Sequence, residues 1–334
     1  MTTVFFGELM LRLSPPGREL LLQTPKFEVN VGGAEANVAT GLACLGHKVR
    51  MVSAVADNPL GAAVIGELRR RGVDTSTVAT EAGRLGLYFL TPGAGLRASE
   101  VVYDRAHSVF TKRATDAWDW DAALAGATRL HLSGITPALG PNSAAAAIAA
   151  AEAAGARGIP VSFDGNYRAK LWEAWDSDPK AVLSKLIGHA DILFGNHRDV
   201  SLLLGKTISG DGSDRRREAA EAAFAAFPKL QTIASTARHL VDADSHRVAA
   251  RVDLRSGGHQ TDEVTIAGIV DRIGAGDAFA AGVLHGLSQG GDAVTAANAG
   301  LALTALKHSL PGDASLFGQA DVDAFLEGEL DVRR

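Results

Sequence analysis

The sequence contains very little cysteine and no long apolar run. Its single cysteine, Cys44, excludes an intramolecular disulfide, and its apolar helical surroundings indicate a small core residue. No uncharged apolar stretch approaches the ~20 residues that span a bilayer. The apolar start, Val4–Phe6, reaches Glu8 too soon for a secretory segment. We therefore expect a cytoplasmic protein that does not bind a membrane.

An excess of basic residues is also missing. The 33 lysines and arginines are outnumbered by 38 aspartates and glutamates, and the formal net charge of −5 gives no reason to expect a nucleic-acid partner. No histidine or cysteine spacing indicates zinc. The composition, 46% hydrophobic and 21% charged, is ordinary for a globular protein. We expect one large domain over residues 1–334.

Strand and helix patterns alternate along most of the chain. This order predicts an α/β fold with a mainly parallel sheet and helices on both faces. Two blocks, at about 10–33 and 85–110, depart from the order, because their short strands alternate in polarity. We predict that these blocks form a small antiparallel β sheet that covers a site as a lid. In parallel sheets, ligands bind at the carboxyl ends of the strands.

The stretch Asp271–Phe279 joins a β-branched strand, Glu263–Ile266, to an apolar helix that we predict from Ala278 to Leu287. Glycines at such a join let successive N–H groups point the same way, and a helix N-terminus then binds anions. Asp277 at this place would compete with an anion unless it has a task. Either it only caps the helix, or it takes a proton from a hydroxyl that attacks the anion's phosphorus.

Two separated motifs carry a family resemblance. Asp271-x-x-Gly274-Ala275-Gly276-Asp277 resembles the C-terminal signature of the ribokinase-like (PfkB) carbohydrate kinases, D-T-x-G-A-G-D, with Arg272 where threonine is usual. The run from Gly32 to Asn37 resembles their N-terminal signature. The resemblance implies ATP-dependent phosphorylation with Mg²⁺ and the ribokinase-like fold with its lid.

The resemblance also implies roles for these residues. The amides of Gly274, Ala275 and Gly276 would face the γ-phosphate, and Asp277 would be the general base. Gly33 would let a sugar approach the backbone while Asn37 binds its hydroxyls.

Further segments resemble 2-keto-3-deoxygluconate kinases in particular. They are the opening Gly7–Pro16, in which Glu8 stands where aspartate is usual in the wider family, the segment Phe163–Trp172 and the tail Ala305–Asp313. This implies a substrate with a carboxylate at one end and a primary hydroxyl at the other. The product would be 2-keto-3-deoxy-6-phosphogluconate.

An acidic sugar needs a cationic partner. Arg105 and Arg168 can each hold a carboxylate in a fork, and Tyr88 and Tyr103 on the lid strands can bind its oxygens. The plainer alternatives are cross-strand packing on the lid and an ion pair between Arg168 and Asp164. A neutral sugar such as fructose would not require both arginines.

The remaining predictions concern the nucleotide. The segment Asn196–Asp199 is similar to the family's N-x-x-E segment, which implies that Asn196 and Asp199 orient Mg²⁺ through water; the alternative is a helix cap. Ser235 and Thr236 are expected to face the phosphates, and Asn298 to border adenine. The resemblance also allows a monovalent cation such as K⁺ near Asp271.

The prediction is therefore a sugar-acid kinase that acts on 2-keto-3-deoxygluconate. Three alternatives stay open: a kinase for a neutral sugar, a sugar-acid sensor without catalysis, and a nicotinamide dehydrogenase. An exposed lid sheet has free edges and an apolar face, so we also expect a homo-oligomer that pairs two lids.

Overall fold

The computed structural model describes residues 1–210 and 212–329. Its strands are short, and all of them belong to two sheets. They are β1 (Thr2–Phe6), β2 (Met10–Ser14), β3 (Glu28–Gly32), β4 (Lys48–Ala56), β5 (Asp74–Glu81), β6 (Gly86–Thr91), β7 (Glu100–Asp104), β8 (Ala127–Ser133), β9 (Val161–Asp164), β10 (Ile192–Phe194), β11 (Thr232–Leu240), β12 (Ser245–Leu254), β13 (Gly257–Gln260) and β14 (Val264–Ala267).

The helices lie between these strands and after them. They are α1 (Ala34–Cys44), α2 (Pro59–Arg70), α3 (Val109–Lys112), α4 (Trp120–Ala123), α5 (Pro141–Ala156), α6 (Ala169–Trp172), α7 (Pro179–Gly188), α8 (His197–Leu204), α9 (Gly212–Ala226), α10 (Ala275–Ser288), α11 (Ala293–Lys307) and α12 (Gln319–Glu327). Among the described residues, no helix is both long and apolar enough to cross a membrane.

The main sheet has ten strands, in the order β13-β12-β11-β10-β9-β8-β1-β4-β5, with β14 paired to β12. The pairings from β5 across to β11 are all parallel, whereas β12, β13 and β14 extend the sheet in antiparallel fashion. The mainly parallel α/β fold predicted from the alternating pattern is confirmed. Its parallel strands read as apolar runs because helices cover both faces.

The core lies where the central strands meet the most apolar helices. Val4, Phe5 and Phe6 of β1 are completely buried, and α10 buries nearly every side chain from Ala278 to Gly286. Since each fully buried large apolar side chain contributes roughly 1.5–3 kcal/mol, this packing fixes the position of the start of α10.

The lid sheet has four strands, in the order β3-β2-β6-β7. Its two outer pairings are antiparallel and its central pairing, β2 with β6, is parallel. Met10, Tyr88 and Leu90 form a small cluster on it, against which Ile273 of the glycine-rich segment packs. The lid therefore touches the segment that precedes α10. Val29 and Val102 of the lid are 58% and 47% exposed, and the pairing of two lids in a dimer stays a prediction.

Element ends differ from the sequence expectation where glycine and alanine are dense. Helix α10 begins at Ala275, three residues before the predicted start, because Gly274 adopts the left-handed conformation that caps it. Helix α9 is shifted relative to the predicted Arg215–Phe227. The final helix was expected over Asp321–Leu330; it covers Gln319–Glu327, and Leu330 lies outside the described residues.

Candidate active site

The glycine-rich segment Asp271–Gly276 forms the N-terminus of α10. Gly274 has φ 77°, and a Cβ atom there would lie 1.6 Å from the carbonyl oxygen of Asp313, so only glycine fits. The first N–H groups of a helix have no partner within the helix. Gly274, Ala275 and Gly276 all line a cavity. The sequence prediction of an anion site therefore has the required backbone geometry.

Asp277 lies one residue further on and lines the same cavity. The side-chain amide of Asn37 donates a hydrogen bond of 2.7 Å to Asp277 Oδ2, which joins the two family motifs across 240 residues. Burial raises the pKa of Asp277 to about 7, while the hydrogen bond from Asn37 opposes the rise. A carboxylate whose pKa is near neutrality is suited to accept a proton. The plain N-cap alternative is not observed, because Gly274 occupies that position.

Gly33 determines how α1 presents Asn37. It has φ 146°, and a Cβ atom would lie 2.5 Å from the carbonyl oxygen of Glu8. Glycine therefore lets the end of β3 pass close to the end of β1. Helix α1 starts immediately afterwards, so Asn37 projects from its first turn toward Asp277.

The cavity has a volume of about 1080 Å³ and follows the carboxyl edge of the main sheet. At one end the cavity is lined near β1, which leads into the lid strands. At the other end it is lined by β11 and its neighbours. Strands β1 and β11 are four positions apart in the sheet, or roughly 19 Å at ordinary strand spacing. We call the first region the lid end, defined by Met10, Gly33, Asn37, Tyr88 and Tyr103. We call the second the far end, defined by Gly210, Arg216, Ser235, Thr236, Arg238 and His239. Asp277 and the start of α10 line this same cavity.

The end of β9 contributes a further acidic group and an arginine. Asp164 accepts a hydrogen bond of 3.0 Å from the N–H of Asn166, and Asn166 has the left-handed value φ 33°, which non-glycine residues rarely adopt. Arg168 lines the cavity and forms no ion pair with another described residue. The Arg168–Asp164 pair considered as the plainer alternative is therefore not formed. Arg168 lies near enough to lower the pKa of both Asp164 and Asp277.

Arg105 is paired with another residue of the chain, so its predicted contact with the substrate carboxylate stays a prediction. Its side chain is 6% exposed and donates to Glu8 Oε2 through Nε at 2.9 Å and through Nη2 at 2.5 Å. Ser108 donates to the other oxygen of the same carboxylate. Arg105 is absent from the lining of the cavity. Strand β7 ends at Asp104, and the Arg105 side chain reaches a buried carboxylate while its guanidinium carbon stays 5.5 Å from the centroid of the Tyr103 ring.

Of the two lid tyrosines that were expected to bind substrate oxygens, only Tyr103 has a hydroxyl that is not bonded to another described side chain. Tyr103 lines the cavity and is 45% exposed. Tyr88 also lines it, but its hydroxyl donates to Asp313 Oδ2, so its ring rather than its hydroxyl is free to contact a ligand. The two rings are 5.8 Å apart.

Asn196 and Asp199 form the helix cap that the sequence left open, and their role in orienting Mg²⁺ stays a prediction. Asn196 caps α8 by accepting from the N–H of Arg198 at 2.8 Å, and Asp199 Oδ2 accepts from the N–H of Asn196 at 2.7 Å. Both residues also line the cavity. Burial raises the pKa of Asp199, and Asp199 in turn raises the pKa of Asp164.

Ser235 and Thr236 line the cavity where β11 crosses it. Asn298 does not. Gly282 of α10 lies against Ala299 and Gly300 of α11, whereas Thr304 donates to the carbonyl of Ala275 at the start of α10. The antiparallel packing of these helices therefore brings Thr304 to the cavity and leaves Asn298 about 9 Å behind it, at 1.5 Å per residue. Asn298 therefore lies outside this cavity, and its predicted place beside adenine stays a prediction.

Two arginines in the cavity were missed by sequence reasoning. Arg238 of β11 and Arg272 of the glycine-rich segment line the cavity and form no ion pair with another described residue. Burial lowers the pKa of Arg272, and the nearby charges of Arg238 and Arg168 lower it further. Together with Arg168 and Arg198, these two arginines line the cavity without an ion pair among the described residues, which indicates a strongly anionic ligand. The sequence could have indicated Arg272 as a cavity residue, because it stands in the motif at a position where threonine is usual. No pattern in the sequence indicates Arg238.

The residues present fit a magnesium ion that keeps most of its own water. Within the described part of the chain, no three histidine, cysteine or carboxylate side chains could hold a metal ion. Asp164, Asp199 and Asp277 nevertheless share the cavity, and burial followed by the other two carboxylates raises the pKa of Asp164 to about 7. A divalent cation bound through water and phosphate oxygens would relieve that repulsion.

The chain resembles characterised proteins over nearly its whole length. A 2-dehydro-3-deoxygalactonokinase of Haloferax volcanii is 32% identical over 329 residues, 97% of this chain and 96% of that protein. A 2-dehydro-3-deoxygluconokinase of Bacillus subtilis is 29% identical over 316 residues, 94% of this chain and 91% of that protein. The crystal structure of a 2-dehydro-3-deoxygluconokinase of Thermotoga maritima superposes with a TM-score of 0.92 at 38% identity, covering 98% of this chain and all of that one.

The family model for PfkB carbohydrate kinases matches residues 2–316. The match includes both signatures, the lid and the carboxyl edge of the main sheet. This match excludes the nicotinamide dehydrogenase, which was one of the alternatives left open by the sequence. The chain belongs to the PfkB family of carbohydrate kinases.

Proposed function

We propose that the protein transfers the γ-phosphoryl group of ATP to the primary hydroxyl of 2-keto-3-deoxygluconate. The product is 2-keto-3-deoxy-6-phosphogluconate. The observation that carries the proposal is the position of Asp277, which lies in the first turn of α10, lines the cavity and accepts a hydrogen bond of 2.7 Å from Asn37. An anion-binding helix start and a proton acceptor in one cavity are what phosphoryl transfer to an alcohol requires.

The acceptor binds at the lid end of the cavity. Asn37 and the ring of Tyr88 contact the sugar, and its terminal hydroxyl points at the free oxygen of Asp277. Because the pKa of Asp277 is about 7, this carboxylate accepts the hydroxyl proton as the oxygen attacks phosphorus. The amides of Ala275 and Gly276 bind the oxygens over which the charge of the transferring group spreads.

ATP binds toward the far end, with its phosphates near Ser235, Thr236, Arg238 and Arg272. Asn196 and Asp199 hold Mg²⁺ through water, and the ion supplies neutralisation of phosphate charge when bound. The lid closes over the acceptor and excludes water, which limits hydrolysis of ATP.

Arg168 is the residue that supports an acidic rather than a neutral sugar. Of the two arginines predicted to bind the substrate carboxylate, Arg168 lines the cavity and Arg105 is paired with Glu8; Arg168 also lies close enough to Asp277 to lower its pKa. The relatives named above act on epimeric acids, the gluconate and galactonate derivatives. Recognition through the carboxylate is compatible with either epimer.

A coupled assay for ADP release tests the substrate. We expect turnover with 2-keto-3-deoxygluconate, lower or comparable turnover with its galactonate epimer, and none with fructose. Turnover with fructose alone would support the neutral-sugar kinase, and tight binding of the acid without ADP release would support a sensor.

Arg168→Ala tests the role of the guanidinium. Because a hydrogen bond to a charged group contributes about 1.5–3 kcal/mol, we expect KM for the acid to rise roughly ten- to hundredfold, with a much smaller change for ATP. Arg168→Lys, which keeps the charge without the fork, should lie between. If neither Michaelis constant changes, the carboxylate is held elsewhere.

A further inference from the structure

Lys307, the last residue of α11, is completely buried. Burying an ammonium group costs several kcal/mol unless other groups replace its water. Nothing in the proposed reaction uses this lysine directly, because it does not line the cavity. Its position therefore requires a separate explanation.

The ammonium group of Lys307 lies between two loops. It donates to the carbonyl oxygen of Asp271 at 3.3 Å and to that of Leu310 at 3.0 Å. Asp271 opens the segment that forms the anion site, and Leu310 belongs to the loop after α11. Carbonyl oxygens from two loops are the ligands that a monovalent cation would use, and here a side chain of the protein occupies them.

The same two loops are joined on either side of the ammonium group. The N–H groups of Ile273 and Gly312 donate to the two oxygens of the Asp271 carboxylate, at 2.9 and 3.1 Å. Gly274 lies directly against the backbone of Asp313. A shift of either loop would therefore move the start of α10.

Charges of both signs surround Lys307. Arg12 contacts Asp271 at 2.7 Å and Asp313 at 3.0 Å, so these two carboxylates face the two cations Arg12 and Lys307, and Asp277 is a further acidic group near enough to affect Lys307. Burial lowers the pKa of Lys307, and the nearby carboxylates of Asp271 and Asp313 oppose that shift. An additional cation would meet two positive groups, and it would find the carbonyl oxygens already bonded.

We propose that the ammonium group of Lys307 is a built-in monovalent cation that fixes the anion-binding segment Asp271–Gly274, so that catalysis needs no K⁺. Lys307 is a positioning residue, since it acts through the backbone of Asp271. Because it is covalently attached, it is always in place, whereas an ion must be bound from solution. The inference goes beyond the proposed substrate but rests on phosphoryl transfer at α10.

The unmodified protein gives the first test. Initial rates with ATP, Mg²⁺ and the sugar acid are measured in chloride salts of K⁺, Na⁺, Li⁺ and tetramethylammonium at one ionic strength. We expect rates that agree within about twofold, the scatter that an unspecific salt effect leaves once screening is matched. A strong and selective activation by K⁺ would overturn the proposal.

Two substitutions give the second test. Lys307→Ala opens a space beside the two carbonyl oxygens, whereas Lys307→Met fills it with an uncharged chain. We expect kcat to fall about 10²-fold in both, the loss that a displacement of about 1 Å causes, with little change in KM for the acid. K⁺ or NH₄⁺ should restore kcat in Lys307→Ala only, and Li⁺ should not.

A readout without substrate separates this inference from the proposed function. The Tm of Lys307→Ala should rise with K⁺ at constant ionic strength, while that of the unmodified protein and of Lys307→Met should not. A folded Lys307→Ala protein whose Tm and kcat both ignore K⁺ would overturn the inference. If Lys307→Ala does not fold, the salt series on the unmodified protein decides. If the unmodified protein phosphorylates no sugar acid in any salt, the proposed function fails, and the Tm comparison still tests the cation site.

Discussion

At the lid end of the cavity, charged side chains are paired with one another before any ligand binds. Arg12 joins Asp271 and Asp313, Tyr88 donates to Asp313, and Asn37 holds Asp277. Along the wall toward the far end, Arg168, Arg238 and Arg272 have no acidic partner among the described residues. In the first region the charged groups bind one another and hold the backbone in place. In the second region the charged groups are available to a ligand.

The difference matches what each half of a phosphoryl transfer needs. A proton acceptor works only if it is held within a few tenths of an ångström of its productive position, which a paired and buried network achieves. A polyphosphate binds largely through charge, and it gains from cations whose partners it supplies itself. Substitutions at the two regions should therefore affect different measurements.

Asp277→Asn should produce the largest effect. The amide keeps the shape and the contact with Asn37 but cannot accept a proton, so kcat should fall roughly 10²–10⁴-fold, with KM for ATP within a few-fold. In the unmodified protein kcat should rise with pH through about 7, because the proposed base, Asp277, must lose its proton to act. That dependence should be absent from the variant. Near-full turnover by Asp277→Asn would remove the residue from the mechanism.

Arg12→Met should come second and should act on stability. The side chain is 2% exposed, and its loss leaves the carboxylates of Asp271 and Asp313 buried without their cation. Breaking a buried pair in this way costs about 3–5 kcal/mol of unfolding free energy, measurable by urea denaturation. The matched control is Lys185→Met, which removes an exposed pair with Glu152 and should cost at most about 1 kcal/mol. Equal losses in the two variants would contradict the contrast.

Arg272→Gln should have the smallest effect and should leave stability unchanged. A half-exposed charge contributes about 1 kcal/mol, so KM for ATP should rise about fivefold while KM for the sugar acid stays constant. The rise should shrink at high salt, because screening weakens the contribution of the guanidinium. Arg215→Gln, which alters an exposed arginine outside the cavity, is the control and should change neither constant. An equal rise in both Michaelis constants would show that Arg272 does not act on the nucleotide alone.

The parts of the site that lie within short motifs could be read from the sequence. Gly274 and Asp277 are only three residues apart, and the conformational demands on glycine at a helix start are local. The lid strands were recognisable for the same reason, since alternating polarity is a property of a few consecutive residues.

The parts that depend on distant partners could not be read in this way. Arg105 pairs with Glu8 across 97 residues, and Tyr88 donates to Asp313 across 225. No pattern in either neighbourhood indicates the other. Thr304 rather than Asn298 reaches this cavity because the packing of α11 on α10, and not the sequence of α11, decides which turn lies at the cavity.

The ion pair between Glu8 and Arg105 has a consequence for how the enzyme admits its substrates. Glu8 lies just before β2 and Arg105 just after β7, so this buried contact fastens together the points where the chain enters and leaves the lid. The strand pair β2–β3 cannot separate from the pair β6–β7 without breaking this buried ion pair. We therefore expect the four lid strands to move together when the lid opens, with the Glu8–Arg105 contact at the place where the lid joins the main sheet.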